Sequence, residues 1–118
     1  MSAPPNFEFV PPAIVQKLAA MNRYTLLILT KGENFDHEDT RKIIQSEHLP
    51  YTFKLREEGK LLITMPVNDD TTIRAIGIYA STDKAEVEEM IKQDPAIIKG
   101  VFTYELLSTV GLKGDTLI

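Results

Sequence analysis

Apolar positions along the chain fall into short continuous runs separated by polar stretches. The run YTLLILT, residues 24–30, carries apolar side chains at both odd and even positions, which is typical of a strand buried on two faces. Two further runs, KLLITMPV at 60–67 and TTIRAIGIYA at 71–80, are joined by the turn residues Asn68, Asp69 and Asp70 and predict a hairpin. The run VFTYELL at 101–107 predicts a fourth strand.

A helix is predicted between the first and second strands. It is expected to start after Asp36, a plausible N-cap, and to end at Gly59, a common residue just past a helix. Pro50 lies inside it, and a proline removes one backbone donor and clashes with the carbonyl four residues earlier. We therefore expect a kink or break between Ser46 and Pro50.

A second helix is predicted between the third and fourth strands. Ser81 or Thr82 is its expected N-cap, and the Asp94-Pro95 pair ends it, because a residue before proline avoids the α conformation. The resulting order is βαββαβ. The sequence thus predicts an α+β, ferredoxin-like domain with a four-stranded antiparallel sheet.

Residues 1–23 read as an N-terminal extension ahead of this domain, which spans residues 24–118. Four prolines, at 4, 5, 11 and 12, prevent regular strand pairing over much of the extension. Pro12 suits the first position of a short helix, predicted over Pro12 to Met21. We expect this arm to pack on the domain.

Apolar residues on both faces of the first two strands require a cover on each side of the sheet. Two helices cover one face only, so the other face is left exposed in a single chain. A second copy packed sheet to sheet is the simplest cover, because symmetric homodimers are the commonest oligomers. The sequence therefore predicts a homodimer, with the N-terminal arm as a rival but small cover.

Composition narrows the classes of partner. The formal net charge is −4 and no basic stripe is present, so nucleic acid is not an expected partner. There is no cysteine, which excludes disulfides, thiolate metal sites and a cysteine nucleophile. No apolar run reaches the length of about 20 residues that a membrane span needs, and the N-terminus lacks the pattern of an export signal. A cytoplasmic protein is the expectation.

The two histidines differ in their surroundings. His37 lies in the polar DHED run and reads as a solvated side chain. His48 shares a helical stripe with the apolar or aromatic residues Ile44, Tyr51 and Leu55, at spacings of four, three and four. A histidine on such a stripe can be a satisfied core residue or an acid/base group, and the spacing does not decide between them.

Asp94 has a similar double interpretation. An aspartate before proline can simply end a helix. It can also orient an imidazole, since a carboxylate on one ring nitrogen leaves the other nitrogen as a base. Metal binding is not expected, because no histidines and carboxylates share a ligand spacing, and the glycines form no phosphate loop.

Two segments together resemble the YCII-related (YciI-like) family. EHLPYTFKLREEGKLL, residues 47–62, has a histidine, a tyrosine three residues on and a glycine that ends the helix before a strand. TDKAEVEEMIKQDPAIIKGVF, residues 82–102, has an acidic helix, then Asp-Pro, then a glycine five residues after the proline. Arg41 also lies where the family often has an arginine. The resemblance covers roughly residues 24–107.

This resemblance implies a dimeric α+β barrel with a pocket between the sheet and the first helix. It implies that His48 and Asp94 form an acid/base pair, with Arg41 as a substrate-binding residue. Tyr51 is a further candidate substrate-binding residue of the same pocket, and its alternative interpretation is a buried tyrosine whose hydroxyl bonds to the backbone. The implied activity is cofactor-independent and lyase-type, as in a dehydrochlorinase of this family that acts on a chlorinated hydroxyquinol. The implied substrate is a small phenolic or enolisable molecule.

Two positions depart from the family pattern. Met65 stands where the family usually has a glycine before proline, and Pro50 is unusual inside the first helix. Both are able to reshape the pocket, so the alternative is a non-catalytic dimer that binds a small ligand or a partner protein. Other dimeric α+β barrels, such as antibiotic-biosynthesis-type monooxygenases and muconolactone isomerases, share the topology but are not expected to share the Asp94-Pro95 signature.

Overall fold

Four antiparallel strands form one sheet in the computed structural model, which describes residues 7–118. The strands are β1 (Asn22–Lys31), β2 (Leu61–Pro66), β3 (Ile73–Tyr79) and β4 (Phe102–Gly111), and their spatial order is β2-β3-β1-β4. The long central strand β1 pairs with β3 on one side and along its whole length with β4, from Asn22 opposite Gly111 to Lys31 opposite Phe102. This order and the βαββαβ connectivity confirm the predicted ferredoxin-like α+β fold.

Helical segments cover one face of the sheet. They are α2 (Thr40–Ile43), a π-helical turn (Ile44–His48), α3 (Leu49–Glu57), α4 (Lys84–Lys92) and α5 (Pro95–Ile98). The core lies between this layer and the sheet, and its most buried side chains come from both. The buried apolar residues are Leu27, Leu29, Leu55, Leu61, Tyr79, Val87, Ile91, Ala96, Val101 and Phe102.

The first helix is interrupted where the sequence predicts a break. The widened turn at 44–48 is marked by the Leu49 N–H, which donates to the carbonyl of Ile44 five residues earlier. Pro50 cannot donate to the Ser46 carbonyl, and the Ser46 hydroxyl donates to the Lys42 carbonyl at 2.6 Å, a contact that often bends helices. The extra residue in this turn is the local response to Pro50.

Two predicted helix starts are wrong. The first helix begins at Thr40 rather than near Asp36, because the chain after β1 first pairs with the segment just before β4. The Gly32 N–H donates to the Val101 carbonyl at 2.8 Å and the Asn34 N–H to the Gly100 carbonyl at 2.9 Å.

The second helix is capped one residue later than predicted. Asp83, not Ser81 or Thr82, is the N-cap, since its carboxylate accepts from the Ala85 N–H at 2.9 Å. The Ser81 carbonyl is instead bound by the Thr25 hydroxyl of β1. The last strand also continues to Gly111, beyond the predicted end at Leu107.

The N-terminal helix α1 (Pro12–Ala19) starts at the predicted proline, and none of its residues is buried. Phe9, just before it, is almost fully exposed. In the single chain, α1 therefore leaves its apolar side chains accessible. Pro4 and Pro5 of the predicted extension lie outside the described residues.

The sheet face opposite the helices is accessible and largely apolar, although Glu105 of β4 also lies on it. Strand pairing places Leu26, Ile28, Ile63, Met65, Ile76, Ile78 and Leu107 on this open face. Met65 and Leu107 are each 38% exposed there. Residues 111–117 of the C-terminal tail lie over one end of the face, beside Tyr24, Ile63 and Ile78, and enclose a groove of about 470 Å³. Across residues 7–118, no helix combines the length and apolar character of a membrane span.

Candidate active site

His48 ends the π-helical turn and points under the helical layer. The residue is 8% exposed, and its ring meets Phe102 of β4 edge to face, with 5.2 Å between ring centroids. The preceding residue, Glu47, forms an ion pair with Lys99 at 2.8 Å, which ties the turn to the end of α5. The turn is thus fixed to the segment that carries Asp94.

Asp94 is the N-cap of α5 and is almost completely buried. Its Oδ1 accepts a hydrogen bond from the Ala96 N–H at 2.9 Å, the usual geometry of a capping aspartate. Pro95 at the first helical position fits this cap, because a proline there loses no helical hydrogen bond. Both interpretations of the Asp-Pro pair therefore apply at once: it stops α4, and it holds a carboxylate rigidly in the interior.

The two side chains are in direct contact. His48 Nδ1 lies 2.6 Å from Asp94 Oδ2, although the residues are 46 positions apart in the sequence. In the neutral imidazole, the Nδ1–H donates to the carboxylate, so the remaining nitrogen, Nε2, carries the lone pair. Among residues 7–118, no side chain or backbone group hydrogen-bonds to Nε2. The arrangement is that of a base with a fixed tautomer.

A small cavity of about 20 Å³ lies beside this pair, between α3, α4 and the helix-facing side of the sheet. That volume holds about one water molecule. His48, Asp94, Tyr51, Tyr79 and two threonines supply the polar side chains of its lining, and the rest of the lining is apolar. The apolar and small residues of the lining are Leu27, Leu29, Thr52, Leu61, Thr64, Ala75, Ile76 and Ile91.

Tyr51 lines the cavity, but its hydroxyl is engaged. The hydroxyl donates to the Met90 carbonyl of α4 at 2.6 Å. Burial raises the pKa of Tyr51, and the nearby carboxylates of Asp94 and Glu58 add to that rise. Tyr51 is therefore a neutral phenol whose proton is directed at the backbone, with only the oxygen lone pairs left for a ligand.

The other predicted binding residue lies elsewhere. Arg41 is exposed on α2 and does not line the cavity. His37 is exposed in the preceding loop, where its Nδ1 accepts from the Asp39 N–H. Met65 points to the open face of the sheet, so it does not fill the space beside His48. Between residues 7 and 118, no three histidine, aspartate or glutamate side chains cluster as a metal would require.

Sequence reasoning missed Tyr79, the most buried aromatic residue of the cavity, at 2% exposure. It ends β3 and faces the helices together with Ala75 and Gly77. Small residues at alternate positions of a buried strand leave space beside the next large side chain. That pattern, in IRAIGIYA, was the available signal for a cavity at this strand.

Comparisons with known proteins give a structural match only. No family model matches the sequence, and no curated protein matches it. Several solved structures do match, among them the 5-chloro-2-hydroxyhydroquinone dehydrochlorinase TftG from Burkholderia phenoliruptrix AC1100, in complex with 2,5-dihydroxybenzoquinone. The TM-score is 0.50 and the identity 20%, over 72% of this chain and 90% of that chain. At this identity the likeness shows the fold: the chain is a ferredoxin-like α+β protein, as TftG is.

Proposed function

We propose that this protein is a small acid/base enzyme of the YCII-related type, in which His48 Nε2 moves a proton on a phenolic or enolisable molecule. The observation that carries the proposal is the 2.6 Å contact between His48 Nδ1 and Asp94 Oδ2 inside a buried cavity. Asp94 acts as the positioning residue, since its carboxylate caps α5 and holds the imidazole of His48. Arg41 and Tyr51 remain proposed binding residues, and Arg41 needs a large movement to contribute.

The proposed reaction is a lyase-type elimination, with the ligand class taken from the structural neighbour TftG. In a dehydrochlorination, the base removes one proton and the electron pair left behind forms a new double bond. The C–Cl bond breaks and chloride leaves with its bonding pair. The net change is loss of H⁺ and Cl⁻, so no external oxidant or reductant is needed. A well-placed general base accelerates such proton transfers by roughly 10²–10⁴-fold.

The direct test is chloride release from 5-chloro-2-hydroxyhydroquinone under anaerobic conditions. We expect release by the wild type and a loss of roughly 10²–10⁴-fold in kcat for His48→Asn, which removes the base. His37→Asn is the matched control, because that imidazole is exposed and far from the cavity. Unchanged turnover in His48→Asn contradicts the mechanism.

A second candidate is a non-catalytic ligand-binding module that uses the same cavity. Space for one water molecule does not admit an aromatic ring unless α3 or the edge strand β2 moves. Binding of 2,5-dihydroxybenzoquinone without turnover of the chlorinated hydroquinone would favour this alternative. Such binding is measured by isothermal titration calorimetry.

We also propose that the protein works as a homodimer, with the open face of the sheet covered by a second copy. The open face carries seven apolar side chains on four strands, and α1 buries none of its own residues in the single chain. Exposed apolar surface of this kind usually marks an interaction site.

A further inference from the structure

The proposed reaction leaves one buried polar group of the cavity without a role. Tyr79 ends β3, is 2% exposed, and lines the same cavity as His48 and Asp94. Backbone pairing places it between Thr25 of β1 and Leu61 of β2, on the face that the helices cover. Its position is therefore set by the centre of the sheet rather than by a loop.

The Tyr79 hydroxyl has no hydrogen-bond partner among residues 7–118. The neighbouring polar groups are already engaged: the Tyr51 hydroxyl donates to the Met90 carbonyl, and the Asp94 oxygens accept from Ala96 and His48. Buried polar groups are nearly always hydrogen-bonded, because an unpaired one loses its bonds to water without replacing them. An unpaired phenol at this position requires a physical explanation.

The oxygen is also reachable from the cavity. Within the described chain, no side-chain nitrogen or oxygen is both sealed inside protein and left without a partner. Since the Tyr79 hydroxyl has no partner, it must open onto the space that it lines. A water molecule or a ligand in that space lies between walls that include both Tyr79 and His48.

The phenol is held in its protonated form. Burial raises the pKa of Tyr79 strongly, and the nearby Tyr51 and Asp94 raise it further. A protonated phenol donates one hydrogen bond and is attracted to a negatively charged or carbonyl oxygen.

We infer that Tyr79 is a ligand-binding residue whose O–H donates to a ligand oxygen, while a second oxygen of the same ligand faces His48 Nε2. The site therefore selects molecules with at least two oxygen substituents, one that gives a proton to His48 and one that accepts a hydrogen bond from Tyr79. Dihydroxyquinones and polyhydroxylated rings have this chemistry, and simple phenols lack the second oxygen. The inference rests on the proposed function for the role of His48, but not for the role of the Tyr79 hydroxyl.

The test compares Tyr79→Phe with wild type, because this substitution removes the oxygen and keeps the ring that packs in the core. The probes are 2,5-dihydroxybenzoquinone, with several oxygens, and phenol, with one. We expect the Kd for the quinone to rise about tenfold or more in Tyr79→Phe, as for loss of a hydrogen bond to a charged acceptor. The Kd for phenol should stay the same. Tyr104→Phe is the matched control, since that tyrosine lies outside the cavity lining.

A second measurement separates binding from structure. Because the hydroxyl is unpaired in the free protein, Tyr79→Phe should have a Tm equal to or above that of the wild type. A lower Tm together with an unchanged ratio of the two Kd values overturns the inference, as does the absence of any difference between the two proteins across both probes. If Tyr79→Phe weakens quinone binding while His48→Asn leaves chloride release unchanged, the inference stands and the proposed reaction fails.

Discussion

At the scale of single residues, Asp94 combines a structural and a chemical role in one carboxylate. Oδ1 caps α5 through the Ala96 N–H, and Oδ2 receives the Nδ1–H of His48. The cap fixes the rotation of the carboxylate, so the second oxygen cannot turn away from the imidazole. The four-residue helix α5 thereby holds the carboxylate that binds Nδ1 of His48.

This double role predicts the outcome of Asp94→Asn. The amide oxygen should stay on the Ala96 N–H, since only an acceptor serves there, and the amide nitrogen should then donate to His48 Nδ1. The proton of the neutral imidazole must move to Nε2, which abolishes the base at that atom. Long-range ¹⁵N–¹H NMR of the imidazole is expected to show the Nδ1–H tautomer in the wild type and the Nε2–H tautomer in Asp94→Asn.

Asp94→Ala is the companion variant, because it removes the cap as well as the contact with His48. We expect it to be less stable than Asp94→Asn by about 1–2 kcal/mol, the usual value of an N-cap side chain. Urea unfolding of both variants measures the difference. The same imidazole tautomer in wild type and Asp94→Asn would contradict the assigned geometry.

The buried tyrosines predict a loss of stability in alkali. Burial raises the pKa of both Tyr79 and Tyr51 above the unfolded value of about 10. Between pH 10 and the folded pKa, the folded protein keeps a proton that the unfolded chain has lost, so the free energy of unfolding falls as the pH rises. The slope is at most about 1.4 kcal/mol per pH unit for each tyrosine.

Tyr79→Phe should remove one of these contributions. We expect the free energy of unfolding of Tyr79→Phe to fall less steeply than that of the wild type between about pH 10 and 11. At pH 8 neither protein should show a pH dependence from this tyrosine. Urea unfolding at several pH values gives the slopes. Equal slopes would show that the Tyr79 phenol is not protected from solvent in the folded state.

The sequence predicted His48 and Asp94 as site residues but not Tyr79. His48 and Asp94 were recognisable from the helical stripe and from the paired family-like segments, but their contact depends on how α5 packs against the π-helical turn. Spacing cannot supply that contact, because it joins elements that are 46 residues apart. Tyr79 gave no polar signal of its own, since a tyrosine at the end of an apolar strand looks like any other core residue.

At the scale of elements, a backbone contact between the loop after β1 and the segment before β4 holds the site in place. The loop after β1 approaches the chain after α5 so closely that a Cβ at Gly32 would lie 2.3 Å from the Gly100 carbonyl oxygen. Gly100 itself has a positive φ of 73°. This close backbone contact fixes the segment that follows Asp94 and Ala96.

Gly32→Ala should therefore be markedly destabilising, because backbone atoms, and not a flexible side chain, occupy the space that the methyl group needs. We expect a loss of about 1–3 kcal/mol or more in the free energy of unfolding. Gly59→Ala is the matched control: its φ is also positive, at 72°, but nothing lies within 4 Å of the added methyl group. It should lose only about 1–2 kcal/mol from backbone strain.

Urea unfolding of the two glycine variants at the same pH provides the comparison. The close approach of Gly32 to the Gly100 carbonyl is contradicted if the free energy of unfolding of Gly32→Ala is no lower than that of Gly59→Ala.

Element prediction succeeded where local sequence decides the structure and failed where tertiary pairing decides it. The break before Pro50 was predictable from the missing N–H and the clash of the ring. The helix start near Asp36 was not, since the backbone donors of Gly32 and Asn34 bind carbonyls just before β4, almost 70 residues away in the sequence. The continuation of β4 to Gly111 follows likewise from its pairing with β1.

At the scale of the whole molecule, the open face predicts self-association. A charge placed there should oppose a sheet-to-sheet dimer, because burying a carboxylate without a partner is costly. Leu107→Glu puts a carboxylate on the open face in edge strand β4, opposite Leu26 of β1 and two residues from Glu105. We expect the dimer dissociation constant to rise at least about tenfold, measured by sedimentation velocity over a range of concentrations.

Ile98→Glu is the control for this experiment. Ile98 is apolar and 68% exposed, but it lies on α5 in the helical layer. The Ile98→Glu substitution should leave the dimer dissociation constant unchanged if the interface is the open face. A wild-type protein that sediments as a monomer at all concentrations would refute the homodimer, as would dissociation caused by Ile98→Glu alone.

The pairing of Asn22 with Gly111 brings the entry and the exit of the domain to the same place. Directly opposed residues in an antiparallel pair have Cα atoms about 5 Å apart, so a linker of a few residues would join the two ends. A circular permutant joined there and opened in the hairpin turn at residues 68–70 should fold and keep the His48–Asp94 contact. By the same geometry, the whole domain suits insertion into a surface loop of a host protein, with little disturbance to the host chain.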